Sequence, residues 1–214
     1  MKICYLPPAV ATIIFDIDST LYTNETYAFE QNDTLIRRLA QERGISYDEC
    51  RHIIATFKKK WAATHNGKEL SLGNIFIEFG IPIETSIAWR KELFMPEKYL
   101  QKDATLFKTL SNLKKKYKLI CITNCPACIG KKTLEALGVA NLIEDIIGLD
   151  TCGKSKPAQE PLLLAMQKTN TPAENCVSVG DRYDIDVALP LEMGMGGILV
   201  SGVSDVYMLS KILK

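Results

Sequence analysis

The sequence has no excess of charge of either sign, because 26 Lys and Arg residues stand against 25 Asp and Glu residues, for a formal net charge of +1 over 214 residues. No global field would therefore draw the protein to nucleic acid or anionic lipid. There is also no apolar run long enough to cross a bilayer, and the short apolar patch near the start is interrupted by Pro7-Pro8. These absences predict a cytoplasmic protein with neither a nucleic-acid nor a membrane partner.

The cysteines show no ordered framework. There are seven, an odd and scattered set, which predicts reduced thiols rather than disulfides. Cys125-Pro126-Ala127-Cys128 has the spacing of redox and zinc sites, but no second ligand pair for zinc is apparent and the surrounding pattern is not thioredoxin-like. Any role of Cys125 and Cys128 stays open at this point.

Short β-branched runs alternate with helix-like segments over most of the chain. Apolar residues make up 47% of the sequence, enough for a substantial core. The strand-like runs are 11–15, 118–123, 146–149, 176–179 and 197–200, and the helix-like segments are 106–117, 130–137, 160–168 and 185–193. Such alternation predicts an α/β fold with a doubly wound parallel sheet, in which ligands bind beyond the carboxyl ends of the strands.

The pattern changes between residues 22 and 97, where no strand-like run interrupts the helix-like segments. Those segments are 33–43, 47–64, 71–79 and 84–94, and glycines and prolines separate them in the manner of helix ends. We therefore predict a core domain with the doubly wound sheet over 1–21 and 98–214, with an inserted all-α helical bundle over 22–97.

Asp16 and Asp18 stand one residue apart at the end of the first strand-like run, before a turn. Two carboxylates crowded there repel each other and resist desolvation unless a cation or a proton relieves the charge. Where a strand ends and the chain turns, both side chains can be directed at one crevice. This favours a metal-assisted acid/base site, although Asp and Ser are also ordinary turn residues.

Polar residues also follow the later strand-like runs. A hydroxyl with adjacent N–H groups, as in Thr123-Asn124, can hold a phosphate oxygen, or it can cap a helix. Lys154 and Lys156 lie in the loop after the third run, where an ammonium can neutralise a carboxylate and a phosphoryl oxygen. Gly180-Asp181 follows the fourth run, where glycine permits a tight turn and Asp181 is a natural metal ligand.

Four such clusters, each at a predicted strand end of one sheet, point to a single site. The ordered set resembles the four motifs of the haloacid dehalogenase superfamily, and the resemblance covers the sheet domain nearly end to end. The matching segments are Asp16-Ile17-Asp18-Ser19-Thr20, Thr123, Lys156-Pro157, and Gly180-Asp181 with its downstream acids. The resemblance implies a Rossmann-like core, a magnesium ion and an aspartate nucleophile. The helical insert directly after the first motif is similar to the α-helical cap of this family.

For chemistry, the resemblance implies a phosphatase that transfers a phosphoryl group in two steps. Asp16 would attack phosphorus, water would later release inorganic phosphate, and Asp18 would be the acid/base. Thr123, Asn124 and Lys156 would bind the phosphoryl group, and the Mg²⁺ site would comprise Asp16, Asp18 through its backbone carbonyl, Asp181 and Asp186. Lys156 is preferred to Lys154 because Pro157 follows it, and Asp186 is preferred to Asp184 as the downstream acid.

Four functions are to be compared. Dehalogenation is disfavoured, because dehalogenases of this superfamily lack an acid at the position of Asp18. The leading hypothesis is a Mg²⁺-dependent phosphatase for a small phosphorylated metabolite, nucleotidase-like or phosphoglycolate-phosphatase-like. The alternatives are a sugar phosphomutase and a non-catalytic phosphate-binding module. The sequence leaves open the substrate, the insert residues that contact it, and whether the protein is a monomer or a homodimer.

Overall fold

The computed structural model describes residues 1–67 and 70–213, and the chain divides into two compact units. Met1–Asn24 and Met95–Lys214 together form one unit, which we call the sheet unit. Glu25–Phe94 forms the other, which we call the helical unit. Within the described residues, no helix is long and apolar enough to pass through a lipid bilayer.

A six-stranded sheet organises the sheet unit, with the strand order β1-β6-β5-β2-β3-β4. The strands are β1 (Lys2–Tyr5), β2 (Thr12–Phe15), β3 (Lys118–Ile122), β4 (Asp145–Ile147), β5 (Cys176–Gly180) and β6 (Gly196–Leu199). β2 pairs in parallel with β3 on one side and with β5 on the other, so the chain winds away from β2 in both directions. This arrangement creates the strand-order switch at which α/β sheets bind ligands.

The α/β prediction is confirmed, but the sheet is not parallel throughout. β1 was not among the predicted strands, and it pairs antiparallel with β6 through Lys2↔Leu199 and Ile3↔Ile198. β1 lies at the edge of the sheet, and three of its four residues are exposed. An edge strand of this kind lacks the buried apolar run that reveals a central strand in a sequence.

Four helices make up the regular structure of the helical unit within its described residues. They are α1 (Glu25–Arg43), α2 (Tyr47–Thr64), α3 (Leu72–Glu78) and α4 (Ile83–Leu93). Ser46 and Ser71 cap α2 and α3, because their side chains accept hydrogen bonds from the backbone N–H groups of Glu49 and Asn74. The predicted first helix, 33–43, begins earlier, at Glu25, since Tyr27 and Phe29 in its first turns lie only two positions apart and show no helical apolar period.

The remaining helices belong to the sheet unit. They are α5 (Ala104–Lys114), α6 (Ala127–Ala136), α7 (Leu149–Cys152), α8 (Glu160–Thr169), α9 (Ala188–Glu192), α10 (Val203–Val206) and α11 (Leu209–Ile212), with a π-helical turn at Tyr183–Val187. The buried core includes Ile14 of β2, Ile120 and Ile122 of β3, and Leu162 of α8. Burial of these apolar surfaces stabilises the sheet and thereby fixes the strand ends from which the site is built.

Candidate active site

The loop after β2 carries both aspartates of the first motif and turns sharply. Asp16 continues the strand pairing, because its N–H donates to the carbonyl of Val179 in β5. The backbone turns at Ser19, a non-glycine residue with φ of 60°. This left-handed residue sits between the two aspartates and two hydroxyl-bearing residues, Thr20 and Tyr22.

Each aspartate of this loop accepts a hydrogen bond from the hydroxyl four residues later. Thr20 Oγ1 donates to Asp16 Oδ2 at 3.0 Å, and Tyr22 Oη donates to Asp18 Oδ1 at 2.7 Å. Neither hydrogen bond was among the predictions from the sequence, in which Thr20 belongs to the first motif and Tyr22 is a residue that could face the crevice. The signal available in the sequence was the repeated spacing of an aspartate followed four positions later by a hydroxyl.

Lys156 joins the first and last acidic motifs. Its Nζ lies 2.5 Å from Asp16 Oδ1 and 2.7 Å from Asp186 Oδ1, and all three residues are buried. By contrast, Lys154 and Asp184 are exposed. The structure therefore brings together the preferred lysine and the preferred downstream acid, and places the two rejected candidates in solvent.

One ammonium faces two carboxylates in this buried cluster, so the cluster carries an excess of negative charge. Burial is the largest of the effects that raise the pKa of Asp16 to about 7; Lys156 opposes it, and the Asp186 carboxylate adds to it. Burial on its own would lower the pKa of Lys156, but its two carboxylate partners outweigh that effect and raise this pKa above its usual range. The ammonium thus stays charged, and it is Asp16 that responds to pH.

Asp181 follows β5 and completes an acidic group with Asp16 and Asp186. One carboxylate oxygen of each lies within 4.8 Å of the others. Asp181 Oδ1 is buried and has no hydrogen-bond partner among the described residues; the nearest ionic contact is Arg182 Nε, at 3.8 Å. Burial also raises the pKa of Asp181. An orphaned buried oxygen beside a second carboxylate fits a small hard cation such as Mg²⁺.

Asp186 lies in the π-helical turn that follows β5, and this turn packs closely against the strand. Ser178 Oγ donates to the backbone carbonyl of Asp186 at 2.7 Å, and the Arg182 N–H donates to Asp186 Oδ2 at 3.1 Å. A Cβ atom at Gly180 would lie 2.3 Å from the Cβ of Asp186, so only glycine leaves room there. Both Asp186 oxygens are engaged, one by Lys156 and one by this backbone N–H.

Thr123 and Asn124, at the end of β3, contact other residues of the site. Thr123 Oγ1 donates to Asp18 Oδ2 at 3.2 Å and accepts from the N–H of Cys125. The Asn124 side chain holds the backbone of Lys156 from both sides, accepting from its N–H at 2.7 Å and donating to its carbonyl at 3.2 Å. Contact of either side chain with a phosphoryl group stays a prediction.

All seven cysteines are free thiols in the structure. Cys125 is buried next to Thr123, whereas Cys128 is exposed in the first turn of α6. Burial raises the pKa of Cys121 above its usual range and that of Cys176 to about 11, which keeps both thiols protonated. These buried cysteines therefore act as small apolar side chains.

A parallel-dominated α/β sheet with a buried acidic cluster and a lysine at its strand-order switch has the architecture of an α/β enzyme with one candidate catalytic site. The chain belongs to the haloacid dehalogenase-like hydrolase family, whose sequence model matches residues 10–194. That match includes every predicted site residue.

Curated relatives of the chain carry phosphatase names. It is 45% identical to a phosphoglycolate phosphatase of Colwellia psychrerythraea over 65 residues, which is 30% of this chain and only 29% of that protein. It is 24% identical to the 5-amino-6-(5-phospho-D-ribitylamino)uracil phosphatase YigB of Escherichia coli, over 87% of this chain and 81% of that protein.

Solved structures share the fold at low sequence identity. A HAD phosphatase from Thermococcus onnurineus superimposes with a TM-score of 0.66 at 21% identity, covering 95% of this chain and 98% of that one. At this identity the likeness concerns the fold alone.

Proposed function

We propose that the protein is a Mg²⁺-dependent phosphatase that hydrolyses a small phosphorylated metabolite through an aspartyl-phosphate intermediate. The observation that carries this proposal is the placement of Asp16. Its carboxylate is buried at the end of a central strand, held by Lys156 and Thr20, and grouped with the orphaned oxygen of Asp181. The phosphatase names of the curated relatives support the same reaction class.

In the first step, an oxygen of Asp16 attacks phosphorus, and the bond between phosphorus and the ester oxygen breaks. Asp18 gives its proton to the departing alkoxide. In the second step, Asp18 takes a proton from water, the oxygen of that water attacks phosphorus, and the bond to Asp16 breaks. Inorganic phosphate leaves, and both carboxyl groups return to their starting states.

Mg²⁺ would be held by the carboxylates of Asp16 and Asp181 and by the backbone carbonyl of Asp18. When bound, it would offset the repulsion between the attacking carboxylate and the phosphate. Asp186 would hold the Lys156 ammonium, 2.7 Å from its Oδ1, and would add its carboxylate to the acidic group around the ion. Lys156 keeps its charge beside Asp16, where its ammonium would also bind a phosphoryl oxygen.

The helical unit would act as the cap and select the substrate, with the sheet unit carrying out the chemistry. The predicted cap, 22–97, is three residues longer at each end than the helical unit, Glu25–Phe94. The support for this assignment is the position of the insert directly after the first motif. A chain with the insert replaced by a short linker would be expected to lose discrimination among phosphorylated metabolites while still hydrolysing a generic aryl phosphate.

Release of inorganic phosphate from a panel of phosphorylated metabolites, with and without Mg²⁺, tests the proposal. We expect Mg²⁺-dependent release from at least one small metabolite. Isomerisation that requires an added bisphosphate, without free phosphate, would identify a phosphomutase instead. Tight binding of phosphate esters without turnover would support the binding module.

Magnesium is expected to stabilise the protein more at higher pH. The folded pKa of Asp16, about 7, lies above the ordinary aspartate pKa of 3.8. In the metal-free protein, the stability that protonated Asp16 contributes is fully present below the unfolded pKa and is lost as pH rises through the folded pKa. Mg²⁺ competes with that proton. Below about pH 7, each increase of one pH unit should therefore raise the apparent affinity for Mg²⁺ by up to about tenfold.

Thermal unfolding with and without Mg²⁺, at about pH 5 and about pH 8, measures this effect through ligand-linked stabilisation. Asp181→Asn should remove most of the Mg²⁺-induced shift. Asp184→Asn is the matched control, because Asp184 is an exposed acid three residues away and should leave the shift intact. Equal shifts at the two pH values would contradict the assignment of Asp16 as a ligand.

Substitution of Gly180 by alanine is expected to displace Asp186 and to abolish most activity. The added Cβ would overlap Asp186 Cβ at 2.3 Å and Cγ at 2.6 Å. Such overpacking typically lowers the free energy of unfolding by about 1–3 kcal/mol. Gly194→Ala is the comparison variant, because Gly194 has φ of 84° with open space around its Cβ position.

The two glycine variants should lose comparable stability, but only Gly180→Ala should lose turnover. Denaturant unfolding and phosphate release on the same preparations measure both quantities. Full activity of Gly180→Ala would show that the position of Asp186 is unimportant for the reaction.

A further inference from the structure

Tyr22 is a buried tyrosine whose hydroxyl group reaches the proposed acid/base. Its side chain is 3% exposed, and its Oη donates to Asp18 Oδ1 at 2.7 Å. A phenylalanine would fill the same apolar space, so the hydroxyl group is not needed for packing. A hydrogen bond from a hydroxyl to a carboxylate is stronger than one between neutral groups and fixes the carboxylate orientation.

The two oxygens of Asp18 face different partners. Oδ1 accepts from Tyr22, and Oδ2 accepts from Thr123 Oγ1 at 3.2 Å. Rotation of the carboxyl plane about its terminal torsion would break both of these bonds. The hydroxyl of Tyr22 therefore turns Oδ2 toward Thr123, the residue expected to hold the phosphoryl group.

The turn makes this contact specific to position 22. Thr20 and Tyr22 each lie four residues after an aspartate, and the left-handed Ser19 brings the chain back over the strand end. Thr20 thereby contacts Asp16, the proposed nucleophile, and Tyr22 contacts Asp18, the proposed acid/base.

We propose that Tyr22 is a positioning residue for leaving-group protonation, which holds Asp18 so that Oδ2 faces the departing oxygen. This inference rests on the proposed phosphatase function. It predicts an effect on one step only: departure of a basic alkoxide needs a well-placed acid, whereas departure of an acidic phenol does not.

The test is the dependence of kcat/KM on the leaving group, because this parameter reports the steps up to departure of the alcohol or phenol. A series of phosphate monoesters, from acidic aryl to alkyl esters, is measured with the Mg²⁺-loaded protein. In Tyr22→Phe, we expect kcat/KM to fall by about 10- to 100-fold for alkyl phosphates and by less than about threefold for the most acidic aryl phosphate. The ratio of the two values is independent of the fraction of folded protein.

Tyr207→Phe is the matched control. Tyr207 Oη also donates to an aspartate, Asp103 Oδ2, but that carboxylate caps α5 and has no part in the proposed chemistry. This variant should leave the alkyl-to-aryl ratio unchanged. If Tyr207→Phe changed the ratio as much as Tyr22→Phe, the inference would be overturned, because the effect would then follow from loss of any tyrosine–aspartate hydrogen bond.

A double variant shows whether Tyr22 acts through Asp18. Asp18→Asn alone should lower the alkyl-to-aryl ratio, and adding Tyr22→Phe should change it little further, because the group being positioned is already gone. Additive losses would overturn the inference, as would an equal loss on all esters in Tyr22→Phe. Failure of the proposed function has a different signature: the unsubstituted protein would hydrolyse none of the esters.

Discussion

Replacement of Asp16 by asparagine is expected to lower kcat by about 10⁴-fold or more, which is the usual scale for loss of a covalent nucleophile. Asparagine has nearly the same shape, and its side-chain oxygen can still accept from Lys156 or Thr20. It cannot form the acyl phosphate, however, because the amide is a poor nucleophile. The loss should therefore appear in kcat for every substrate, irrespective of the leaving group.

The same variant should remain folded. Burial raises the pKa of Asp16, so the ionised side chain destabilises the metal-free protein above about pH 7. Removal of the charge leaves Lys156 paired with Asp186 in a neutral cluster. We expect the midpoint of thermal unfolding of metal-free Asp16→Asn at about pH 8 to equal or exceed that of the unsubstituted protein.

Two measurements on Asp16→Asn separate the possible outcomes. Rapid acid quench with labelled substrate should trap phosphate on the unsubstituted protein and none on the variant. Turnover that persists in a folded Asp16→Asn would contradict the covalent mechanism. If neither protein turned over any ester in Mg²⁺, while both still bound phosphate, the binding module would be favoured.

Replacement of Lys156 by methionine is expected to have the second large effect, this time on both folding and activity. The ammonium is buried between Asp16 and Asp186, at 2.5 and 2.7 Å. Methionine fills similar space but leaves two carboxylates facing each other without a cation. Removal of one partner from a buried ion pair typically costs about 3–5 kcal/mol. Activity should fall as well, because no other ammonium contacts the nucleophile among the described residues.

Lys154→Met provides the matched control for this prediction. Lys154 lies two residues away in the same loop but is exposed, so its loss should change the free energy of unfolding by no more than about 0.5 kcal/mol. Denaturant unfolding of both variants, with and without Mg²⁺, gives the comparison. Mg²⁺ should restore part of the stability of Lys156→Met, since a cation can then neutralise Asp16. Equal behaviour of the two variants would contradict the central place given to Lys156.

The central strands and the long helices were accessible from local pattern. The predicted run at 176–179 corresponds to β5 (Cys176–Gly180), and the predicted segment 47–64 has the bounds of α2. Both succeed because apolar periodicity and clear end signals coincide there. β1 escaped the same reasoning, because it is short, mostly exposed and paired only with β6.

The candidate site was likewise predictable from the sequence only in part. The acids after β2 and β5 are recognisable as short motifs, because a strand end followed by closely spaced carboxylates is unusual in sequence. The side chains that hold them are not. Ser178 lies within a strand, and its hydrogen bond to the Asp186 carbonyl depends on the path of the following π-helical turn. Local propensity carries no information about such contacts.

The sequence by itself determined the alternation that builds an α/β sheet, the insertion of a helical segment, and the residue types at each strand end, because these depend on near neighbours along the chain. Only the tertiary structure decided which side chains meet. It joined Lys156 to Asp16 across 140 positions, left Lys154 and Asp184 in solvent, and placed Tyr22 on Asp18. The physical reason is that burial and hydrogen-bond geometry depend on distances in space, which the folded sheet and its turns set.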